Sequence, residues 1–213
     1  MSQDLLAIAD RVVAMARPGE QVEAVVVRGV ETEIRVFDQD VESLSSAQSQ
    51  GIGIRVVQDG RQGFAYAGSL DELAIGETLA DARDNVRFAT FDEFAGLAEP
   101  DGVAAPTLAL ARDALVDFAT AGKVDLALEL ERIVLAADPR ISGIESAEYA
   151  DAVSEAAIAT TTGIRSTGRE TSCYLATYAM ASQDDDTQTG FGFSVGRVPL
   201  KIKTNGAALD AAG

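Results

Sequence analysis

The sequence predicts an α+β fold in which mixed or antiparallel β-hairpins pack against helices. Its hydrophobic patterns indicate a helix, two hairpins, further helices and then a run of strands, an order unlike the regular alternation of parallel βαβ proteins. The chain has 213 residues, 47% of them apolar, which is enough to bury a substantial core. We therefore expect a globular protein.

The first helix and the first hairpin are predicted within the first 37 residues. Ser2 is the expected N-cap of the helix, and Arg17-Pro18-Gly19 ends it. Apolar residues recur between them at helical spacing, at Leu5, Ile8, Val12 and Met15. Residues 22–28 and 31–37 then predict two strands joined at Gly29-Val30. The second strand alternates in polarity, with Thr32, Ile34 and Val36 on one face and Glu31, Glu33 and Arg35 on the other.

A second hairpin and a second helix are predicted next. Residues 41–50 are polar and rich in serine, and apolar alternation resumes only at 52–56. The chain can reverse at Asp59-Gly60 into a strand at 62–67. Ser69-Leu70-Asp71-Glu72 matches a capping box, which predicts a helix that begins at Ser69 and runs to about Phe88.

The remaining elements follow a long connection. Residues 89–107 lose periodicity and contain Pro100 and Pro106, so they form the best candidate for an internal boundary. Two helices are predicted at 108–119 and 124–137, separated by Gly122. Strands are then predicted at 140–149, 152–161, 169–182 and 189–195, with a turn near Gly163 and a loop at 183–188.

Composition excludes several classes of function. A formal charge of −17 disfavours binding to nucleic acid or to anionic membranes. The sequence contains no histidine, the usual base of Ser-His-Asp and Cys-His catalysis and the commonest zinc ligand. Its one cysteine allows no internal disulfide, and we find no long apolar segment or signal peptide, so we expect a cytoplasmic protein.

The glycine-rich and acidic motifs favour structural interpretations. Gly51-Ile52-Gly53 lacks the third glycine of a nucleotide-binding fingerprint, and Gly190-Phe191-Gly192-Phe193 suits a strand against which another backbone packs. Asp184-Asp185-Asp186 does not fit a calcium loop, because Val195 stands where the bidentate Glu belongs. A solvated acidic turn is the favoured reading, with a weak divalent-cation site as the alternative.

No catalytic constellation emerges from the remaining candidates. Cys173 lies in a predicted strand, where we expect a buried and inert thiol. Glu129 and Glu131 point to different faces of their helix. The sequence therefore predicts no catalytic, cofactor-binding or metal-binding residue in this chain.

Several stretches in order nevertheless resemble the N-terminal half of TldD/PmbA-family proteins, the modulators of DNA gyrase. The first is 51–57 followed by Gly63-Phe64-Ala65 and Leu70, which is similar to a glycine-rich strand pair that leads into a helix. Later stretches that match in order are 136–141, Gly163, Ser172-Cys173, Asp184-Asp185-Asp186 with Gly190, and Gly196-Arg197. The resemblance covers residues 1–197.

The resemblance implies a noncatalytic part of a cytoplasmic zinc metallopeptidase that acts on unfolded or small peptides. In such proteins zinc belongs to a TldD-like subunit with a His-Glu-x-x-x-His helix, which this chain lacks. The chain looks nearer to the PmbA/TldE type, the heterodimeric partner without that motif. Zinc is therefore expected in a TldD-like partner rather than here.

The tail departs from the family pattern. Residues 198–213 become basic and then rich in alanine, which favours a truncated chain or a shift of reading frame. Two alternatives to a peptidase subunit remain: a stand-alone acidic interaction module that binds a basic partner, and a nonfunctional fragment.

Overall fold

The protein is a mixture of four helices and two antiparallel sheets over the part of the chain that the computed structural model describes, residues 4–104, 106–203 and 208–211. The helices are α1 (Leu5–Ala14), α2 (Glu72–Phe88), α3 (Asp113–Val116) and α4 (Thr120–Ala137). The strands are β1 (Gln21–Phe37), β2 (Asp40–Gln58), β3 (Arg61–Ala67), β4 (Ile141–Thr160), β5 (Arg165–Gln183), β6 (Asp186–Gly196), β7 (Leu200–Lys203) and β8 (Ala208–Ala211). The predicted α+β class is confirmed.

Six strands form the main sheet, in the order β3-β2-β1-β4-β5-β6, and β7 pairs with β8 in a small second sheet. The β2–β3 and β5–β6 hairpins are antiparallel, and Asp59 and Gly60 form the β2–β3 turn, as predicted, with φ of 51° and 68°. None of the helices in the described ranges has both the length and the apolar character needed to cross a membrane.

The chain divides into two compact units, and β1, β2, β4 and β5 each contribute residues to both. The first unit comprises the chain up to Gly29 together with 48–108 and 154–169. Its core joins α1 and α2 to the strands through buried side chains such as Ile8, Val12, Val22, Val26, Ile54, Val56, Leu79 and Val86.

Aspartates cap both long helices of the first unit. Asp4 accepts hydrogen bonds from the amides of Leu6 (3.0 Å) and Ala7 (3.3 Å), whereas the predicted cap Ser2 lies outside the described residues. Asp71 accepts from the amide of Ala74 at 2.8 Å, so the prediction that Ser69 caps α2 is wrong. The Ser69 hydroxyl donates to Asp71 instead, which orients the carboxylate that caps the helix.

Gly63 allows α2 to lie directly against β3. A Cβ atom at this position would stand 2.1 Å from the carbonyl oxygen of Ala82 and 2.5 Å from the amide nitrogen of Val86. Both atoms belong to the helix backbone, so they cannot rotate away as a side chain can. The glycine of the Gly63-Phe64-Ala65 stretch is therefore required by close packing.

The second unit comprises residues 30–47, 109–153 and the chain from Glu170 onward. Its core places α3 and α4 against the strands through side chains that include Ile34, Val36, Leu115, Leu130, Ile144, Tyr149 and Leu175. Leu200, the first residue of β7, is 2% exposed and belongs to the same core. Part of the atypical tail thus takes part in packing.

The predicted hairpin at Gly29-Val30 is wrong, because β1 runs without interruption through this dipeptide. Buried residues stay in phase on both sides of Gly29, at Val22, Ala24, Val26, Thr32, Ile34 and Val36. Side chains of a strand alternate between its two faces, so one continuous strand places all these even-numbered residues on the same face, with no turn between them. The reversal comes at Asp38 and Gln39, and the polar residues 41–50 form the first half of β2.

Other predicted boundaries also shift. Of the helix predicted at 108–119, only α3 is helical, because the residues before it form hydrogen bonds with β5. The amide of Thr171 donates to the carbonyl oxygen of Leu110, and the Thr171 hydroxyl accepts from the amide of Arg112. Gly122 lies inside α4 rather than before it. The strands predicted at 140–149 and 152–161 merge into β4, and the loop at 183–188 is only a tight turn at Asp184-Asp185.

The packing at Gly63 generates a first prediction. Gly63→Ala should lower the free energy of unfolding by about 3 kcal/mol, because the added methyl group overlaps the α2 backbone. The matched control is Gly76→Ala in α2, where a Cβ meets nothing within 4 Å. That variant should gain about 1 kcal/mol from higher helix propensity. Urea unfolding of both variants measures the difference, and equal stabilities would contradict the proposed contact.

Candidate functional site

The second unit carries a groove of about 270 Å³, which we call the outer groove. Residues of four neighbouring strands line it: Glu31 and Glu33 of β1, Ala150 and Ala152 of β4, Ser172 and Tyr174 of β5, and Val195 of β6. Small side chains of β4 lie between an acidic side and an apolar side. The groove can thus receive a chain segment with apolar or cationic side chains.

A row of aromatic rings, the aromatic strip, is half-buried on β5 and exposed on β6, and it continues the apolar side of the outer groove. It consists of Tyr174, Tyr178, Phe191 and Phe193. The ring centroids of Tyr174 and Phe193 are 6.1 Å apart, those of Phe193 and Phe191 are 5.6 Å apart, and those of Phe191 and Tyr178 are 6.3 Å apart. Phe191 and Phe193 remain 57% and 61% exposed, and contiguous exposed rings of this kind are typical of binding surfaces.

Beneath the outer groove lies a buried polar cluster, the inner cluster, formed by Thr32, Lys123, Tyr149 and Asp151. The ammonium of Lys123 is 2.6 Å from Asp151 Oδ2 and donates to the Thr32 hydroxyl at 3.5 Å. The Tyr149 hydroxyl donates to the same carboxylate oxygen at 2.7 Å. Each charge is therefore paired, as burial requires.

The hydrogen bonds and the ion pair of the inner cluster favour a structural role over a catalytic one. Burial, together with the hydrogen bond to Asp151, raises the pKa of Tyr149, so the phenol stays a hydrogen-bond donor. Lys123 is engaged by Asp151 rather than free to act as a nucleophile. The arrangement fixes α4 against β1 and β4.

Cys173 lies in the same unit and is buried, as predicted. Its thiol donates to the carbonyl oxygen of Val198 at 2.9 Å, and its exposed fraction is 2%. Burial raises the pKa of Cys173 to about 11. The thiolate form that attacks electrophiles is therefore disfavoured.

Glu129 and Glu131 point to different faces of α4, as predicted, and they have different roles. Glu129 forms an exposed ion pair with Arg132. Glu131 is 1% exposed and accepts hydrogen bonds from the amides of Asp38 (2.9 Å) and Gln39 (2.7 Å), so it binds the β1–β2 turn. These carboxylates are not a catalytic pair.

The other motifs lie in strands and turns. Asp184 and Asp185 form an exposed turn, with φ of 54° at Asp184, and Gly51-Ile52-Gly53 lies within β2 as expected. Gly190 and Gly192 lie in β6, but no atom of the described residues would come within 4 Å of a Cβ at either. The expectation that another backbone packs against these two glycines is therefore wrong.

The residues present do not fit a zinc ion. The chain has no histidine, and its one thiol is buried and bonded to a carbonyl group. Over the described ranges, the fold assembles no group of three His, Cys, Asp or Glu side chains suited to a metal. Zinc prefers nitrogen and sulfur ligands in tetrahedral sets, and these side chains cannot supply such a set.

The sequence did not predict the inner cluster. Lys123 and Asp151 are far apart in the chain, and only the fold brings helix and strand together. A signal did exist, because the buried positions of α4 recur at helical spacing, at Lys123, Ala127, Leu130 and Glu131. Two charges in phase with apolar residues indicate buried partners.

The inner cluster generates a second prediction. Lys123→Met should lower the free energy of unfolding by about 3 kcal/mol, because Asp151 would be left buried without its cation. The double variant Lys123→Met/Asp151→Asn leaves no charge in the inner cluster, so its loss should be smaller than the sum of the two single losses. Exposed Arg132→Met is the control and should have little effect. Additive losses in a urea-unfolding cycle would contradict the coupling.

A third prediction concerns Cys173. At about pH 8 the native thiol should react with a chromogenic disulfide reagent only as fast as the protein opens, because the thiol is buried and protonated. The opened thiol has an ordinary pKa of about 8.5, whereas burial raises the native pKa to about 11, so opening becomes more favourable and labelling should accelerate as pH rises between these values. Rapid labelling at neutral pH, equal to that in urea, would show an accessible thiol.

Comparison with known proteins places these features in a family. Residues 22–86 match the model of PmbA/TldA metallopeptidase domain 1, and residues 114–212 match the PmbA/TldA metallopeptidase central domain. Metalloprotease PmbA of Escherichia coli O157:H7 is 26% identical over 167 residues, a region that covers 78% of this chain and 37% of that protein.

Solved structures establish the same fold. A protein of Bacteroides thetaiotaomicron described as a modulator of DNA gyrase has a TM-score of 0.80 and 18% identity over 90% of this chain. TldE from Thermococcus kodakarensis has a TM-score of 0.73 and 16% identity over 91% of this chain. The matches span 45% and 42% of those two chains, so this chain covers less than half the length of each relative. The two domain matches show that it belongs to the PmbA/TldD family.

Proposed function

We propose that this chain is the N-terminal, noncatalytic part of a PmbA/TldE-like subunit in a TldD/TldE-type zinc metallopeptidase. One observation carries the proposal: the first and central metallopeptidase domains are matched in a chain whose side chains cannot hold zinc. The named relatives PmbA and TldE support the subunit type. The zinc and the chemistry of hydrolysis belong to a TldD-like partner.

The contribution of this chain is to bind the substrate, an unfolded or small peptide in extended form. β6 is the last strand of the main sheet, and a peptide beside it can use backbone hydrogen bonds that need no particular side chain. The aromatic strip offers apolar contacts along the same strand, and Glu31 and Glu33 offer carboxylates at the far side of the outer groove. Such a surface can hold many sequences.

The proposed subunit works in the cytoplasm on peptides rather than on nucleic acid. The formal charge of −17 repels phosphate backbones, which makes direct binding of DNA by this chain unfavourable. An effect on DNA gyrase, as the description of one structural relative indicates, would then pass through the degradation of a peptide or protein.

The fourth prediction tests this role by peptidase activity on an unfolded peptide. The chain alone should have no activity, and mixing it with a TldD-like zinc subunit should give cleavage that a chelator abolishes. Phe191→Ala/Phe193→Ala should raise the KM of the mixture roughly tenfold through lost apolar contact, with little change in kcat. Phe94→Ala is the control, because Phe94 is 86% exposed in the first unit.

Each result of that assay has a distinct meaning. Cleavage by this chain alone would overturn the noncatalytic assignment. No change on mixing would contradict the subunit role, and it would favour a stand-alone interaction module. An equal KM for the aromatic-strip variant and the control would preserve the subunit role but remove the outer groove as the peptide-binding surface.

A further inference from the structure

The outer groove is shaped to receive one long side chain that lies across the strands. Glu31 and Glu33 of β1 form one side, Tyr174 of β5 forms the other, and β4 runs between these two strands. Neighbouring strands are about 4.8 Å apart, so the backbones of the two sides are about 10 Å apart. The small side chains of Ala150 and Ala152 leave the space above β4 open as a floor.

The side chains of the groove project from the face of the sheet that points away from α4. Thr32 of β1 and Asp151 of β4 both contact Lys123, so these two side chains point toward the helix. Cys173 of β5 belongs to the core that includes α4, so the next residue, Tyr174, points away from it. The strand residues that flank Thr32 and Asp151 point away for the same reason: Glu31, Glu33, Ala150 and Ala152. One ligand side chain can therefore touch both sides and the floor at once.

The two carboxylates of the groove keep their charge available to a ligand. Glu31 and Glu33 are exposed, and neither forms an ion pair with a side chain in the described part of the chain. Arg35, the next residue of β1 on this face, pairs with Glu42 at 2.6 Å and with Glu148 at 3.8 Å. It does not line the groove. A cation from a ligand therefore meets two carboxylates that no described cation neutralises.

The opposite side of the groove suits the apolar stem of a cationic side chain. The Tyr174 ring is half-buried beside Phe193, with ring centroids 6.1 Å apart, so this wall is formed before a ligand binds. Long cationic side chains pack their methylene groups on apolar surfaces while the charged end reaches a polar partner. An arginine that crosses from Tyr174 toward β1 places its guanidinium beside Glu31 and Glu33. The forked donors of a guanidinium suit two carboxylates better than a lysine ammonium does.

A peptide that fills the groove lies over the sheet rather than beside it. A strand added next to β6 would stand three strand spacings from β4, about 14 Å, which is farther than an arginine side chain extends. A segment that lies over β5 and β6 instead rests on the aromatic strip, with the groove beside it. Apolar residues near the arginine in sequence then meet the rings of the strip.

We propose that the outer groove binds an arginine side chain of the peptide substrate, which makes peptides with arginine near apolar residues the preferred class. This inference rests on the proposed function, because it takes the ligand to be an unfolded peptide. It adds a preference for one side chain to a surface whose other contacts accept many sequences. The chain's net charge of −17 attracts cations as well, so the test has to separate the groove from the general field.

The test compares two fluorescent peptides by anisotropy, each titrated with the full chain. One is Gly-Phe-Gly-Phe-Gly-Arg-Gly-Phe-Gly-Phe-Gly, which reads the same in either direction, and the other has citrulline in place of arginine. Citrulline has nearly the same length and shape but no charge. We expect the arginine peptide to bind about three- to tenfold more tightly at low salt, through charged hydrogen bonds at a partly exposed site, with a smaller ratio at high salt.

Variants of the groove locate the preference. Glu31→Gln/Glu33→Gln should bind the two peptides equally, and Ala150→Leu, which fills the floor without a change of charge, should also lower the ratio of affinities. Asp184→Asn/Asp185→Asn is the matched control and should keep the ratio, because it removes two exposed carboxylates from the β5–β6 turn of the same unit. Each ratio compares two peptides on one variant, so a general change in stability cancels.

Failure of this inference is distinguishable from failure of the proposed function. Equal binding of both peptides by the unmodified chain would overturn the arginine site and leave peptide binding intact. An equal fall of the ratio in the groove variant and the turn control would assign the preference to the general field and overturn the site as well. Absence of binding by either peptide would contradict the substrate-binding role too. An arginine preference without cleavage on mixing with a TldD-like subunit would support the site and contradict only the subunit role.

Discussion

One buried carboxylate holds the turn that joins β1 to β2. Glu131 accepts hydrogen bonds from both amides of Asp38 and Gln39, which adopt φ of 53° and 59° without a glycine. Positive φ at both central residues suits the right-handed twist of a hairpin, but it is costly for ordinary side chains. The bonds to Glu131 offset that cost and tie the turn to α4. The register of β1 and β2 depends on this contact, and so do the faces that their side chains present.

The sequence predicts the fold class, α2, α4, the β2–β3 hairpin and the buried face of β1, because these depend on local periodicity and on turn residues. It misplaces the first reversal, since Gly29 is a turn residue by propensity whereas Asp38-Gln39 becomes a turn only through Glu131. The polar residues 41–50 show why the first half of β2 was not predicted: they are exposed, and pairing rather than burial keeps them extended. The spacing of α4 indicates that Lys123 is buried, but the side chains that it meets, Asp151 and Thr32, are brought to it only by tertiary contacts.

Structural and binding roles are divided between the two faces of the second unit. Lys123, Asp151 and Tyr149 satisfy one another on the buried face, where an unpaired charge would be strongly destabilising. On the opposite face, carboxylates and rings line a surface that a ligand can reach. Glu33 and Tyr174 lie on two sides of the outer groove there. Polar groups that are fully paired stabilise a fold, whereas groups that remain open are available to a ligand. This contrast favours the surface of the second unit, rather than the inner cluster, as the place where a ligand can bind.

The net charge explains how so many rings can stay exposed. Phe191, Phe193 and Tyr66 would favour self-association in a neutral protein, because contact between apolar patches removes surface from water. Two copies that each carry a charge of −17 repel one another before such patches can meet. A cationic or uncharged peptide meets no such barrier, and a cationic one gains from the carboxylates beside the rings. A field of this sign would therefore favour cationic over anionic ligands, and the preference should weaken as salt screens the field.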